Sequence, residues 1–165
     1  MDPFIKLTTK LTNPNVSIEN KLREICLTTS SLIKGADRIS LWCFDENFES
    51  MESLICYDAV NHKFTSEQML NKSDYNDYFS GILKNEVINA PQARSYELTQ
   101  CFNESYFIPL DIHSLLGYIL HQDFNPHGVM CCESVGKVTL WSDDNVETLK
   151  RIARVSSMYF FITDD

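Results

Sequence analysis

The stretch "HGVMCCESVGKVTLWSDDNVETLKRI" (127–152) carries three patterns in a row that point to one fold class. Residues 127–135 read as a strand, and a turn follows. Ser142, with Asp143 and Asp144 behind it, then starts a helix that has carboxylates at its positive end. The apolar stripe of that helix is Val146, Leu149, Ile152, Ala153, Ser156 and Phe160. Neighbouring strand residues point to opposite faces, so Cys131 and Cys132 cannot both line one site without a bulge. Free cysteine is usually a small buried hydrophobe, and the pair reads as packing.

Working outward, "HSLLGYILHQ" (113–122) is a second strand joined to the first by the turn "DFNPHG" (123–128). Nearer the N-terminus, "RISLWCFD" (38–45) and "SMESLICYDAV" (50–60) flank "ENFE" as an antiparallel hairpin. A short helical stripe at Phe4, Leu7 and Leu11 precedes Pro14. Ser17 caps a second helix with apolar positions Leu22, Ile25, Cys26, Thr29, Leu32 and Ile33, and Gly35 ends it. In the middle, Ser73 or Asp74 caps a helix from Tyr75 to Asn85, and "EVINA" (86–90) is a strand stopped by Pro91. "YELTQCFNESYFI" (96–108) reads as a helix ended by Pro109. Residues 1–16 form a helical segment or linker, and 17–165 form one domain.

This order predicts an α+β fold around a central antiparallel sheet of five or six strands. The terminal helices share one face, and the Tyr- and Phe-rich middle covers the other. At 165 residues, 44% hydrophobic and 12% aromatic, the chain can bury one sizeable core. Its net charge of −9 disfavours nucleic acid and anionic membrane surfaces as main partners. No run is long enough to insert in a membrane and no signal pattern is present, which predicts a cytoplasmic location. There, six cysteines read as reduced thiols.

Three segments resemble the GAF domain, a small-molecule sensing module of bacterial signalling proteins such as histidine kinases and diguanylate cyclases. They are "GADRISLWCFDENFESMESLICYD", "SYFIPLDIHSLLGYIL" and "HGVMCCESVGKVTLWSDDNVETLKRIA", in that order. The resemblance implies a PAS-like sheet with a pocket under the middle helices. It also implies a homodimer through the terminal helices and a downstream output domain that this sequence does not contain. Fold resemblance alone names no ligand or cofactor. Phytochrome-like members attach bilin through a cysteine directly before a histidine, whereas Ile112 precedes His113 here. Asn71, Lys72 and Phe79 match part of the cyclic-nucleotide signature, but its Asp-Glu pair is missing.

The expected ligand-binding residues are Ser40 and Trp42 on the first strand, Tyr75, Tyr78 and Phe79 on the middle helix, Tyr106, and His113 at a strand entrance. Ser40, Trp42 and Phe44 share a face opposite Ile39, Leu41 and Cys43, and the mixed Ser–Trp face resembles a cavity wall. No catalytic residue is expected. Nor is a metal ligand, since the H-x5-H-x3-C-C spacing from His121 to Cys132 matches no common zinc pattern. Glu133 reads as a strand-end, solvated carboxylate. Two other readings stay open: a redox enzyme of the free methionine sulfoxide reductase type using Cys101, Cys131 or Cys132, and a ligand-free dimerisation module.

Overall fold

The computed structural model describes residues 2–160, the Phe160 side chain excepted. The chain runs α1 (Pro3–Thr12), α2 (Ile18–Leu32), β1 (Arg38–Phe44), β2 (Ser50–Asp58), β3 (Lys63–Thr65), β4 (Met69–Asn71), α3 (Asn76–Asn85), β5 (Val87–Ala90), β6 (Ile112–Gln122), β7 (Asn125–Val135) and α4 (Asp143–Phe160). The strands form one antiparallel sheet in the order β3-β2-β1-β7-β6-β5, with β4 also pairing to β2. It holds seven strands, one more than the five or six expected, because β3 and β4 both pair with β2. The three-residue strands β3 and β4 are too short to show alternation, so the sequence carries no strand signal for them.

Local chemistry accounts for the helix starts. Ser17 Oγ accepts from Asn20 N–H at 3.1 Å and caps α2. Ser142 and Asn145 cap α4 reciprocally: each side-chain oxygen accepts the other's N–H at 3.0 Å. The start of α3 differs from expectation. Its first flanking residue is Tyr75, with no side-chain cap, and neither Ser73 nor Asp74 takes the role. Gly128 lets β7 reach β1, since a Cβ there would overlap the Trp42 carbonyl oxygen.

Two apolar layers flank the sheet. On one face α1, α2 and α4 bury Leu7, Leu11, Ile25, Cys26, Leu149 and Ile152 against Ile39, Leu41, Met130 and Cys132. On the other, α3 and the segment after β5 bury Tyr78, Phe79, Phe102 and Phe107 against Trp42, Leu115, Val129 and Cys131. The terminal helices therefore share one face. Leu7 and Leu11 are 0% and 1% exposed, so α1 belongs to the same core as the sheet. No helix among the described residues is long and apolar enough to cross a membrane.

The predicted helix over 96–108 is replaced by a 3-10 turn (Gln100–Phe102) running into a π turn (Asn103–Phe107). Side-chain bonds to the backbone explain the change. Thr99 Oγ1 donates to Ala93 O at 2.6 Å, and Asn103 Nδ2 donates to Arg94 O at 2.8 Å. Such bonds tie the segment back to residues 91–94 and compete with a regular helix.

Candidate functional site: the covered face of the sheet

The β1–β7 ladder sets Arg38 opposite Glu133, Ser40 opposite Cys131, and Trp42 opposite Val129. Because side chains alternate, these three pairs lie on the face away from the terminal helices. Over them lie Tyr78 from α3, Phe102 and Tyr106 from the irregular turns, and Leu70 from β4. Together with Met51 and Leu115 they line a partly open cavity of about 20 Å³, lined also by Ser40, Trp42, Cys131 and Glu133. That is little more than one water molecule requires.

Phe102 is the hub of the cover. It stacks on Tyr75 at 4.6 Å between ring centroids, and it meets Tyr78 edge-on at 4.9 Å and Tyr106 at 6.3 Å. Hydrogen bonds tie the polar atoms of the lining to one another and to its rim. Trp42 Nε1 donates to Ser40 Oγ at 2.8 Å, and Tyr78 shares a hydrogen bond with Cys131 Sγ at 3.2 Å. Tyr106 donates to Gln68 Oε1 at 2.8 Å at the outer edge.

Glu133 is not a solvated strand-end residue. It is 7% exposed, inside β7, and faces the cavity. Burial pushes its carboxyl up to about 7, against the pull of the neighbouring Arg38 charge. Arg38 Nε lies 3.7 Å from Glu133 Oε1, beyond hydrogen-bonding reach. That Nε is buried without a hydrogen-bond partner, while Arg38 Nη2 donates to Cys56 Sγ at 3.2 Å and the guanidinium also bonds the Tyr106 hydroxyl. Burial also raises the Cys131 thiol to about 12, with the Glu133 charge adding to the shift. Cys132, buried on the helix side, is raised well above the ordinary thiol value for the same first reason. Both stay protonated near neutral pH, a poor state for a nucleophile.

Of the seven residues expected at the site, the structure brings together Ser40, Trp42, Tyr78 and Tyr106. Tyr75 lies one layer out, with its hydroxyl 2.9 Å from Ser105 Oγ. Phe79 packs against Phe44 at 6.0 Å and is fully buried. His113 points elsewhere, its Nε2 2.9 Å from Asp111 Oδ1. Sequence reasoning missed Glu133, Phe102, Met51, Leu70 and Leu115. Alternation from Val129 and Cys131 carried a signal for Glu133, because the next residue on that face is the acid. Among the described residues no three His, Cys, Asp or Glu side chains converge as a metal site would require.

No family model matches the sequence, and no curated protein matches it. Solved structures do. The GAF domain of an Acinetobacter phosphoenolpyruvate-protein phosphotransferase superposes with a TM-score of 0.72 at 16% identity, over 96% of this chain and 90% of its own. The GAF domain of a two-component sensor histidine kinase from Bacillus halodurans gives 0.64 at 17% identity, over 86% and 92%. A far-red absorbing protein with bound biliverdin gives 0.75 at 14% identity, over 96% and 98%. These superpositions span nearly the whole chain, and the protein has the fold of a GAF domain.

Proposed function

We propose that this domain is a regulatory module that binds a small molecule non-covalently between the sheet and the segment from Tyr75 to Tyr106. The observation that carries this reading is a buried carboxylate, Glu133, lining a cavity whose other walls are mostly aromatic and aliphatic. Arg38, 3.7 Å from it, supports it from outside the lining residues. Proteins seldom keep such groups without use. The same strands carry occupancy across the sheet. Cys131 and Glu133 face the cavity, while Met130 and Cys132, from the same strand, touch the core built on α2 and α4. Ligand would favour one packing of the cover and bias α4 toward one arrangement, a population shift passed to an output domain.

The biliverdin-bound relative suggests one ligand type, but a tetrapyrrole far exceeds the present cavity, and Ile112 stands where a linking cysteine would be needed. The ligand-contacting set is best drawn as Ser40, Trp42, Tyr78, Phe102, Tyr106 and Glu133. A dimer through the terminal helices is part of the proposal, with one change. Leu7, Leu11, Leu149, Ile152 and Ser156 of the expected stripes are buried in the protein's own core, and the Phe160 side chain lies outside the described residues. The contact would instead use Ile5 and Met158, 59% and 57% exposed on α1 and α4.

The small cavity volume favours a second reading, a ligand-free module whose aromatics fill their own pocket. Native mass spectrometry of the purified protein, with an absorption spectrum of the same sample, separates the two. The binding reading expects an added mass that leaves on denaturation, and Tyr78→Ala and Tyr106→Ala to lower its occupancy. A bare chain mass across preparations, with no spectral band beyond the aromatics, favours the closed module.

A further inference from the structure

The β6–β7 hairpin turns through Asp123 and Phe124, between the paired Gln122 and Asn125. Both turn residues have positive φ, 50° and 67°. Turns of this kind favour Asn and Gly, and a bulky side chain is rare in that backbone region. Phe124 is also 99% exposed, the most exposed large hydrophobic residue among those described. An exposed apolar residue alone is ordinary. A phenylalanine held wholly in water, on a backbone that disfavours it, serves no packing inside the protein.

Beside this knob lies a hole. β5 pairs with β6 only along Leu115–Tyr118, which leaves the end of β6 without a described strand on its outer side. There Tyr118, Ile119, Ala153 and Met158 form the apolar part of an open groove of about 340 Å³ between β6 and α4. It shares no residue with the cavity on the covered face. Ile119 and Ala153 are buried, while Met158 is 57% exposed and flexible enough to fold over an incoming ring. Arg154 lines the same groove and makes no ion pair among the described residues.

The occupant that fits is a second copy of this chain. Knob and hole lie at the same end of the molecule, since Asp123, next to Phe124, itself borders the groove. A two-fold axis there sends each Phe124 into the other copy's groove, the reciprocal contact that such symmetry requires. The charges agree as well. Asp123 arrives with Phe124, and Arg154 lies in the groove that receives it. Copies of a chain with net charge −9 repel one another, so contact between them needs such a local match of opposite signs. We propose that two copies associate by exchanging Phe124 into each other's β6–α4 groove, with Asp123 of one paired to Arg154 of the other. Met158 also belongs to the terminal-helix contact proposed above, so the two surfaces are continuous. The exchange is independent of any ligand in the covered cavity.

Sedimentation velocity of the purified chain from about 1 µM to about 1 mM, the span a small interface covers, tests this. The parent should dimerise reversibly, and Phe124→Asn should weaken the dimer at least about tenfold. Asn suits the turn better than Phe, so that loss cannot come from a damaged hairpin. Asp123→Arg and Arg154→Asp should each weaken the dimer at least about tenfold, because each sets like charges together across the axis. An equimolar mixture of those two variants should regain it, since opposite charges then meet at both contacts. A chain monomeric throughout overturns the inference and the terminal-helix contact together. A dimer that Phe124→Asn leaves at the parent affinity overturns the inference alone, and its loss in Ile5→Glu would leave the helix contact standing. A monomer that binds neutral phosphatidylcholine vesicles through Phe124 would make that residue a membrane anchor, and the inference would fall.

Discussion

The two faces of the sheet are built by different rules. On the helix side, α1, α2 and α4 present regular stripes, and most of the buried residues are aliphatic. Most polar groups satisfy themselves locally, as when Thr29 donates to Ile25 O at 2.7 Å and Ser156 to Ile152 O at 2.7 Å, while Trp141 Nε1 is buried without a partner. On the cavity side the cover is one helix and a run of 3-10 and π turns. Its core is richer in aromatics, and a charged pair is buried beside it. π turns and buried ionisable groups with shifted titration are both features that accumulate at functional sites. The proposed function requires that one face hold the fold while the other can rearrange.

The largest expected effect breaks the comparison at its rigid half. Ile152→Ala, at a fully buried position in α4, should cost about 2–5 kcal/mol in urea denaturation. It should leave the Trp42 environment unchanged when Trp42 fluorescence is read in a Trp141→Phe background.

The next effect lies on the other face and depends on pH. Glu133 titrates near 7 when folded, against an ordinary 4.5. Between those values the folded state keeps a proton that the unfolded state has lost. Its stabilising contribution is therefore full below 4.5 and lost as pH rises through about 7, by up to about 3 kcal/mol. Urea melts from pH 5 to pH 8 should show the parent losing stability relative to Glu133→Gln, and parallel curves would mean that Glu133 is not held in this way.

Truncating both Cys131 and Cys132 to Ala removes buried volume from each face and should cost about 1–2 kcal/mol. The smallest effect is expected from Tyr106→Phe. The lost hydrogen bond to Gln68 is exposed, and stability should change by less than about 1 kcal/mol. Amide exchange over residues 100–107 should nonetheless speed up, because that bond ties the cover to the β3–β4 link.

The same contrast explains what the sequence made legible. The helical stripes, the β1–β2 hairpin, the β6–β7 pair and the Ser17 and Ser142 caps depend on neighbours a few residues apart. The opposite faces of Cys131 and Cys132 follow from strand alternation alone. What stayed hidden depends on distant partners. Glu133 looked like an exposed acid because nothing local reveals that β7 lies beside β1 with Arg38 directly across. The 96–108 segment has helical spacing, but Thr99 and Asn103 bond back to Ala93 and Arg94. His113 looked available for a ligand until Asp111, two residues earlier with a positive φ of 55°, turned out to hold its ring.

Native-state hydrogen exchange tests most directly whether the covered face can open. The account predicts that amides in 96–111 exchange through local openings well below the free energy of global unfolding, while those of α2, α4, β6 and β7 exchange only at the global limit. Protection of 96–111 at the same global limit would show a sealed core on both faces, and the cavity side would then be packing rather than a site.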